Sequence, residues 1–223
     1  MTAILAFLAV LMGVVVWWLV RQTIGVKPWV ASAPTGAPQG VGHMPTMKVG
    51  LGVFLAVATS LFALFVSAYA IRMELSDWRP LPEPGLLWVN TGILFLGSVG
   101  LQWAWRAASR DQLAGVKQGL IVGGVCAMAF VVGQLMAWQQ LTDSGYLVTS
   151  NPANAFFYLL TGLHVAHLFG GLVAWYRTVK RAFSGEESGE EMVHVGLGVE
   201  LCAVYWHFLF VVWLILFGLM LST

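Results

Sequence analysis

At 223 residues the chain has room for about six bilayer-spanning helices of roughly 20 residues each, with short loops and no extramembrane domain. It is 59% hydrophobic and only 9% charged, with a mean hydropathy of +0.81, which excludes a soluble globular domain and indicates an integral membrane protein. A net charge of +1 gives no electrostatic basis for nucleic-acid binding, and the two cysteines, Cys126 and Cys202, sit inside apolar runs without metal-ligand spacing.

Six apolar runs follow in order, at about Ala3–Val20, Val49–Ile71, Leu86–Ala107, Gly119–Leu141, Ala153–Val179 and Gly196–Leu221. All are too long for strands of a globular core, and none alternates as an outer-membrane barrel strand would. The expected fold is therefore all-α, a polytopic transmembrane helix bundle of about six helices. The first run differs from a secretory signal: nothing basic precedes it and Arg21 follows it as a stop, so it reads as a retained helix. The Pro/Gly-rich stretch Pro28–Pro45 is a flexible link. It divides residues 1–47, one helix and its loop, from residues 48–223, a five-helix bundle.

Nine of the eleven Lys and Arg residues lie in the loops after the first, third and fifth runs, against Arg72 and Arg79 on the opposite side. The positive-inside rule makes those three loops cytoplasmic and places both termini on the non-cytoplasmic side. The acidic run Gly185–Glu191 reads as a solvated face between the last two helices. Small residues recur every fourth position at Gly115, Gly119 and Gly123 and again at Gly162, Ala166 and Gly170, a pattern that lets helix backbones approach in lipid.

The last two runs hold His164, His167, Glu200 and His207 inside segments otherwise apolar enough to span a bilayer. Ionisable groups at such depth cost about 2.5–3.5 kcal/mol each on translocon scales and persist mainly where they have partners. His164 lies about 16 Å into its helix at 1.5 Å per residue, near the midplane, and His207 reaches a similar depth from the other side. Glu200, two turns from His207 on the same face, lies near the cytoplasmic interface. The least costly arrangement turns the two polar faces toward each other. Three uses fit such a cluster: structural hydrogen bonding with a lipid-headgroup niche near Glu200, a Glu–His proton relay, or axial haem ligation by two imidazoles. Against the last, the bulky aromatics Phe169, Tyr205, Trp206 and Phe208 crowd the space around the histidines.

The segments TGLHVAHLFGG (Thr161–Gly171) and VELCAVYWHFLFVVW (Val199–Trp213) resemble subunit III of the haem-copper oxidases, cytochrome c oxidase and the quinol oxidases. The family pattern reads TG-x-H-x-x-H-x-x-G, then E-x-x-x-x-YWHF-x-D-x-VW. Phe156 and Phe157 before the first motif also match. Upstream, Pro84, Gly85, Val89, Asn90 and Thr91 resemble the start of one family helix. Lys48–Ala56 with Ser67–Tyr69 resemble another, and Gln134 and Trp138 echo the end of a third. The likeness runs in order from about Lys48 to Leu221. Three family acids are replaced: a membrane-buried glutamate by Ala58, the acid before Trp138 by Ala137, and the aspartate of YWHF-x-D by Phe210, while Glu200 is kept.

The resemblance implies an accessory, non-catalytic subunit of a bacterial inner-membrane oxidase that reduces oxygen to water with proton translocation. The partners would be oxidase subunits I and II and membrane phospholipids, with no nucleic acid. The chain itself would have no catalytic, metal or cofactor-binding residues. Haem and copper would sit in the partner subunits, and phospholipid would be bound. His164, His167, Glu200, Tyr205, Trp206 and His207 would form a lipid-holding or structural polar cluster. The missing acids weigh against a proton relay within this subunit. The alternatives are an accessory subunit of a nitric oxide reductase and a stand-alone b-type haem electron carrier using His164 or His167 with His207.

Overall fold

The computed structural model describes residues 46–82, 84–184 and 189–222, with the side chains of residues 189–193 left aside. The regular elements among them are five helices: α1 (Thr46–Arg72), α2 (Leu86–Ala108), α3 (Leu113–Asp143), α4 (Pro152–Phe183) and α5 (Gly189–Leu221). Each is long and apolar enough to cross a membrane, α5 through His194–Leu221. In hydrocarbon a helix satisfies its own backbone, so runs of this composition become helices. Five of the six expected spans are thus present; Ala3–Val20, the link Pro28–Pro45 and the placement of the termini fall outside the described residues.

The helices extend past the apolar runs. α3 begins at Leu113 rather than Gly119, α4 continues to Phe183 rather than Val179, and α5 begins at Gly189, inside the acidic run read as a connecting face. The added turns carry Lys117, Lys180 and Arg181 on α3 and α4. Beyond the hydrocarbon, water solvates charged side chains while the backbone still gains by continuing its own hydrogen-bond ladder.

The chain divides into two compact units, Met1–Ala70 and Ile71–Thr223. In the first, α1 buries one stripe that includes Leu55, Ala58, Thr59, Phe62 and Val66, the three- and four-residue spacing of a single helical face. Thr59 lies on that stripe and donates its hydroxyl to the Leu55 carbonyl at 2.7 Å, so it leaves no polar atom for the apolar surroundings to solvate.

In the second unit α2 packs on α3 and α5, and α4 packs on α3 and α5, closing a ring of four helices. Short connections make neighbours antiparallel. The α2–α3 turn is tight enough to need a left-handed residue, Asp111 at φ +53°, a conformation that Asp tolerates through local hydrogen bonding. Asn151 caps α4, its side chain accepting from the Ala153 amide at 3.2 Å with Pro152 in the first turn.

Of the two small-residue patterns, one packs as expected. A Cβ on Gly119 would lie 2.6 Å from the Gly100 carbonyl oxygen and 2.7 Å from the Ala104 nitrogen, and one on Gly123 would strike Leu101 at 2.6 Å. The other does not: Ala166 is exposed, and among the described residues nothing lies within 4 Å of a Cβ on Gly170. The close approach is one residue on, at Gly171, where a Cβ would meet the Tyr205 ring at 2.5 Å. A four-residue spacing marks a face, but which neighbour that face meets depends on how the helix is rotated in the bundle.

Candidate functional site

The polar residues of α4 and α5 sort into three levels along the bundle. Thr161 and His164 are fully buried. Thr161 donates its hydroxyl to the Phe157 carbonyl at 2.7 Å and accepts from Trp138 Nε1 of α3 at 3.0 Å. The His164 ring lies edge-on to Phe130 of α3, centroids 5.7 Å apart, and 5.3 Å from Trp213 of α5. Phe130 and Trp213 are themselves edge to face at 4.9 Å. This is an aromatic core assembled by three helices, with an imidazole as one of its rings.

The second level holds His167, Tyr205, Trp206 and His207. Tyr205 donates its hydroxyl to the His167 backbone carbonyl at 2.8 Å, a strut from α5 to α4. Trp206 is fully buried, and its ring would be 2.9 Å from a Cβ on Gly171. His167 is half-buried and its Nδ1–H donates to the Leu163 carbonyl at 2.8 Å. His207, also half-buried, donates from Nδ1 to the Ala203 carbonyl. A carbonyl offers only lone pairs, so in both rings Nδ1 carries the proton. Each of these histidines therefore closes a turn of its own helix.

Glu200 forms the third level, half-buried on α5. On the same helix Gly198 and Cys202, one turn apart, face Thr178 of α4, Cys202 at 3.7 Å; Glu200, two residues from each, lies on a different face of α5. Glu200 is well separated from His164 along the bundle. His164 shares its level with Trp213, and Glu200 lies 13 residues earlier on the same helix, about 20 Å along the axis at 1.5 Å per residue.

Two residues that sequence reasoning noted only as motif matches belong to the core. Asn90 of α2 and Gln134 of α3 are both fully buried. Thr91, beside Asn90, accepts a hydrogen bond from Trp213 Nε1 at 2.9 Å and donates to the Leu87 carbonyl at 2.8 Å. A polar residue inside an apolar run was the available signal, and it applied to Asn90 and Gln134 as fully as to His164.

The replaced acids also have definite places. Ala58 and Ala137 are buried, and Phe210 is half-buried with its ring 5.7 Å from that of Phe95. Among the described residues no group of three or more His, Cys, Asp or Glu side chains converges as a metal site would require.

The family model for cytochrome c oxidase subunit III matches residues 2–222, including the N-terminal segment that the motif resemblance did not reach. Cytochrome c oxidase subunit 3 of Corynebacterium diphtheriae is 30% identical over 203 residues, covering 84% of this chain and 95% of the relative. The probable cytochrome c oxidase subunit 3 of Mycobacterium tuberculosis strain H37Rv is 28% identical, covering 83% and 92%. Cytochrome c oxidase subunit 3 of Thermostichus vulcanus is 28% identical, covering 80% and 88%. With the family model covering nearly the whole sequence and the motif residues built into one helical core, the chain belongs to the cytochrome c oxidase subunit III family.

Proposed function

We propose that this chain serves a bacterial haem-copper oxidase as its non-catalytic subunit III, seated in the inner membrane beside subunits I and II. It braces the catalytic subunit and holds phospholipid, while oxygen reduction and its coupled proton translocation take place in the partners. The observation that carries this reading is the family match over residues 2–222. The packing of the histidines supports it. The His164 ring is in contact with both Phe130 and Trp213, which fill space that a porphyrin face would need. His207 uses Nδ1 within its own helix. The haem-carrier alternative finds no such support. By the same positive-inside argument as above, the α2–α3 and α4–α5 turns face the cytoplasm.

A proton relay through this subunit lacks its carboxylates. Ala58 and Ala137 are buried alanines, and α1 contains no Asp or Glu. Glu200 is the acid left within the apolar runs. Its half-buried position in the cytoplasmic-side half of α5 suits a lipid headgroup niche. That reading accounts for a carboxylate away from any acid chain.

Purification of the tagged chain in mild detergent tests the assignment. Haem-bearing subunits should accompany it, and the chain stripped of partners should be colourless. Stoichiometric haem with a bis-histidine spectrum in the isolated chain would overturn the accessory reading. Carbodiimide should leave α1 unlabelled. Glu200→Gln should weaken lipid or subunit retention before it slows initial turnover. Immediate loss of proton pumping with subunit and lipid content unchanged would restore the relay.

A further inference from the structure

Asn90 and Gln134 present four amide atoms in the interior of the α2–α5 ring, and none of the four has a hydrogen-bond partner among the described residues. Both side chains are fully buried. Their helices run antiparallel in a register fixed by three contacts. A Cβ on Gly97 would meet the Cys126 Cβ at 3.0 Å, one on Gly123 would meet Leu101, and one on Gly133 would lie 2.1 Å from Asn90 Oδ1. The same register carries Asn90 to the level of Gly133 and Gln134. The Asn90 carboxamide lies against the α3 backbone where Gly133 has no side chain.

The other two helices bring polar groups to this level. The Trp138–Thr161 hydrogen bond and the wedging of Trp175 against Gly124 set α4 against α3, so that His164 stands level with Gln134. Trp213 of α5 donates to Thr91 and touches both Phe130 and His164. One cross-section of the bundle therefore holds Asn90, Thr91, Gln134, His164 and the Trp213 indole, between an apolar layer with Leu94 and Ala127 on one side and one with Leu87 and Ala137 on the other.

We infer that this layer is an internal water site, in which one or two ordered water molecules bridge the Asn90 and Gln134 carboxamides. A buried amide without a partner keeps its full desolvation penalty. In a membrane-spanning bundle neither bulk water nor lipid tails relieve it. Each carboxamide offers both a donor and an acceptor, and water supplies both in the two to four contacts that hold an internal molecule. Carboxamides do not ionise, so the bridge between them carries no titratable group and is a structural fixture of the subunit rather than a proton carrier. It joins α2 to α3 just where Gly133 lets the Asn90 amide reach the α3 backbone. This inference does not depend on which oxidase the subunit serves or on any lipid at Glu200.

The intact oxidase complex provides the test. A high-resolution map should show density within hydrogen-bonding distance of both carboxamides, between α2 and α3. A direct Asn90–Gln134 amide pair with no such density would overturn the water site. Asn90→Leu and Gln134→Leu should each lower the thermal midpoint for loss of this subunit by roughly 5 °C. The double substitution should lower it by clearly less than the two effects added, because it removes both ends of one bridge together. Strictly additive losses would show that the two amides share nothing. Asn90→Gln and Gln134→Asn, which keep the chemistry and change the reach, separate a lost bridge from a misfolded bundle: either should recover part of the loss seen with leucine.

Discussion

The α2–α3 and α4–α5 interfaces solve the same packing problem by opposite means. Between α2 and α3 the backbones themselves meet, with a Cβ on Gly119 only 2.6 Å from the Gly100 carbonyl and the turn at Asp111 held in the left-handed region. Between α4 and α5, large side chains fill the gap: Tyr205 and Trp206 lie against Gly171, and the Tyr205 hydroxyl reaches the His167 carbonyl. Lipid supplies no hydrophobic drive between helices, so close van der Waals contact and interhelical hydrogen bonds must hold them. A glycine seam uses the first and fails abruptly when a side chain is added. The aromatic seam uses both and loses stability one contact at a time.

The sharpest way to break this contrast is Gly119→Leu. The obstructing atoms are backbone, Gly100 O and Ala104 N, so no side-chain rotation relieves the clash. The expected penalty exceeds about 3 kcal/mol, at the upper end for overpacking, and the subunit should be lost from the purified complex. Retention of the subunit at wild-type level in a gel of the assembled oxidase would contradict the glycine-seam account.

His164→Ala and His207→Ala compare a core imidazole with a half-buried one. His164 is fully buried and touches Phe130 and Trp213, so its truncation should leave a cavity costing about 2–4 kcal/mol. The His207 ring is half-buried and bonded within its own helix, so its loss should cost about 1 kcal/mol. Thermal dissociation midpoints measured side by side give the ordering, and equal effects would contradict the separation of levels.

Tyr205→Phe removes one hydroxyl from the aromatic seam and keeps the ring against Gly171. A loss of about 1 kcal/mol is expected, read as a small fall in the same midpoint. A collapse as large as that for Gly119→Leu would mean that the two seams do not differ.

The smallest effect lies outside both seams, where Arg72 forms a two-pronged ion pair with Asp77 at 2.6 and 2.5 Å. The Arg72 guanidinium holds the Asp77 carboxyl below its ordinary range through that hydrogen bond, opposed by slight desolvation. The folded-state value is therefore the lower one. The pair contributes above the ordinary carboxylate range, and the contribution disappears as pH falls through the depressed value. Both groups are solvent-accessible, so salt should screen it. Asp77→Asn should leave the midpoint at neutral pH and high salt unchanged while flattening its slope at acid pH. An unaltered acid slope would show that the pair is not formed in solution.

Hydropathy alone located the five described spans, because a bilayer allows an apolar run of that length few conformations besides a helix. It did not locate their ends. α3 continues outward to Leu113 and α4 to Phe183, since water at the interface tolerates a charged helical turn as well as a loop. The motif residues were equally legible as types: Thr161, His164, Tyr205 and Trp206 announced a buried polar and aromatic core, and the structure buries all four.

Which of those residues meet was settled only by tertiary packing. Spacing turned the polar faces of α4 and α5 toward each other, but packing sets His164 against Trp213 and Phe130 and Thr178 against Cys202. Spacing marked Gly170, but the rotation of α4 presents Gly171 to Tyr205. Asn90 and Gln134 lie 44 residues apart on helices whose relative height is set by glycine contacts along their length. A sequence fixes which face of a helix is apolar through its own period. The height and rotation of one helix against another come from side-chain volumes on both, and that information exists only once the two surfaces are in contact.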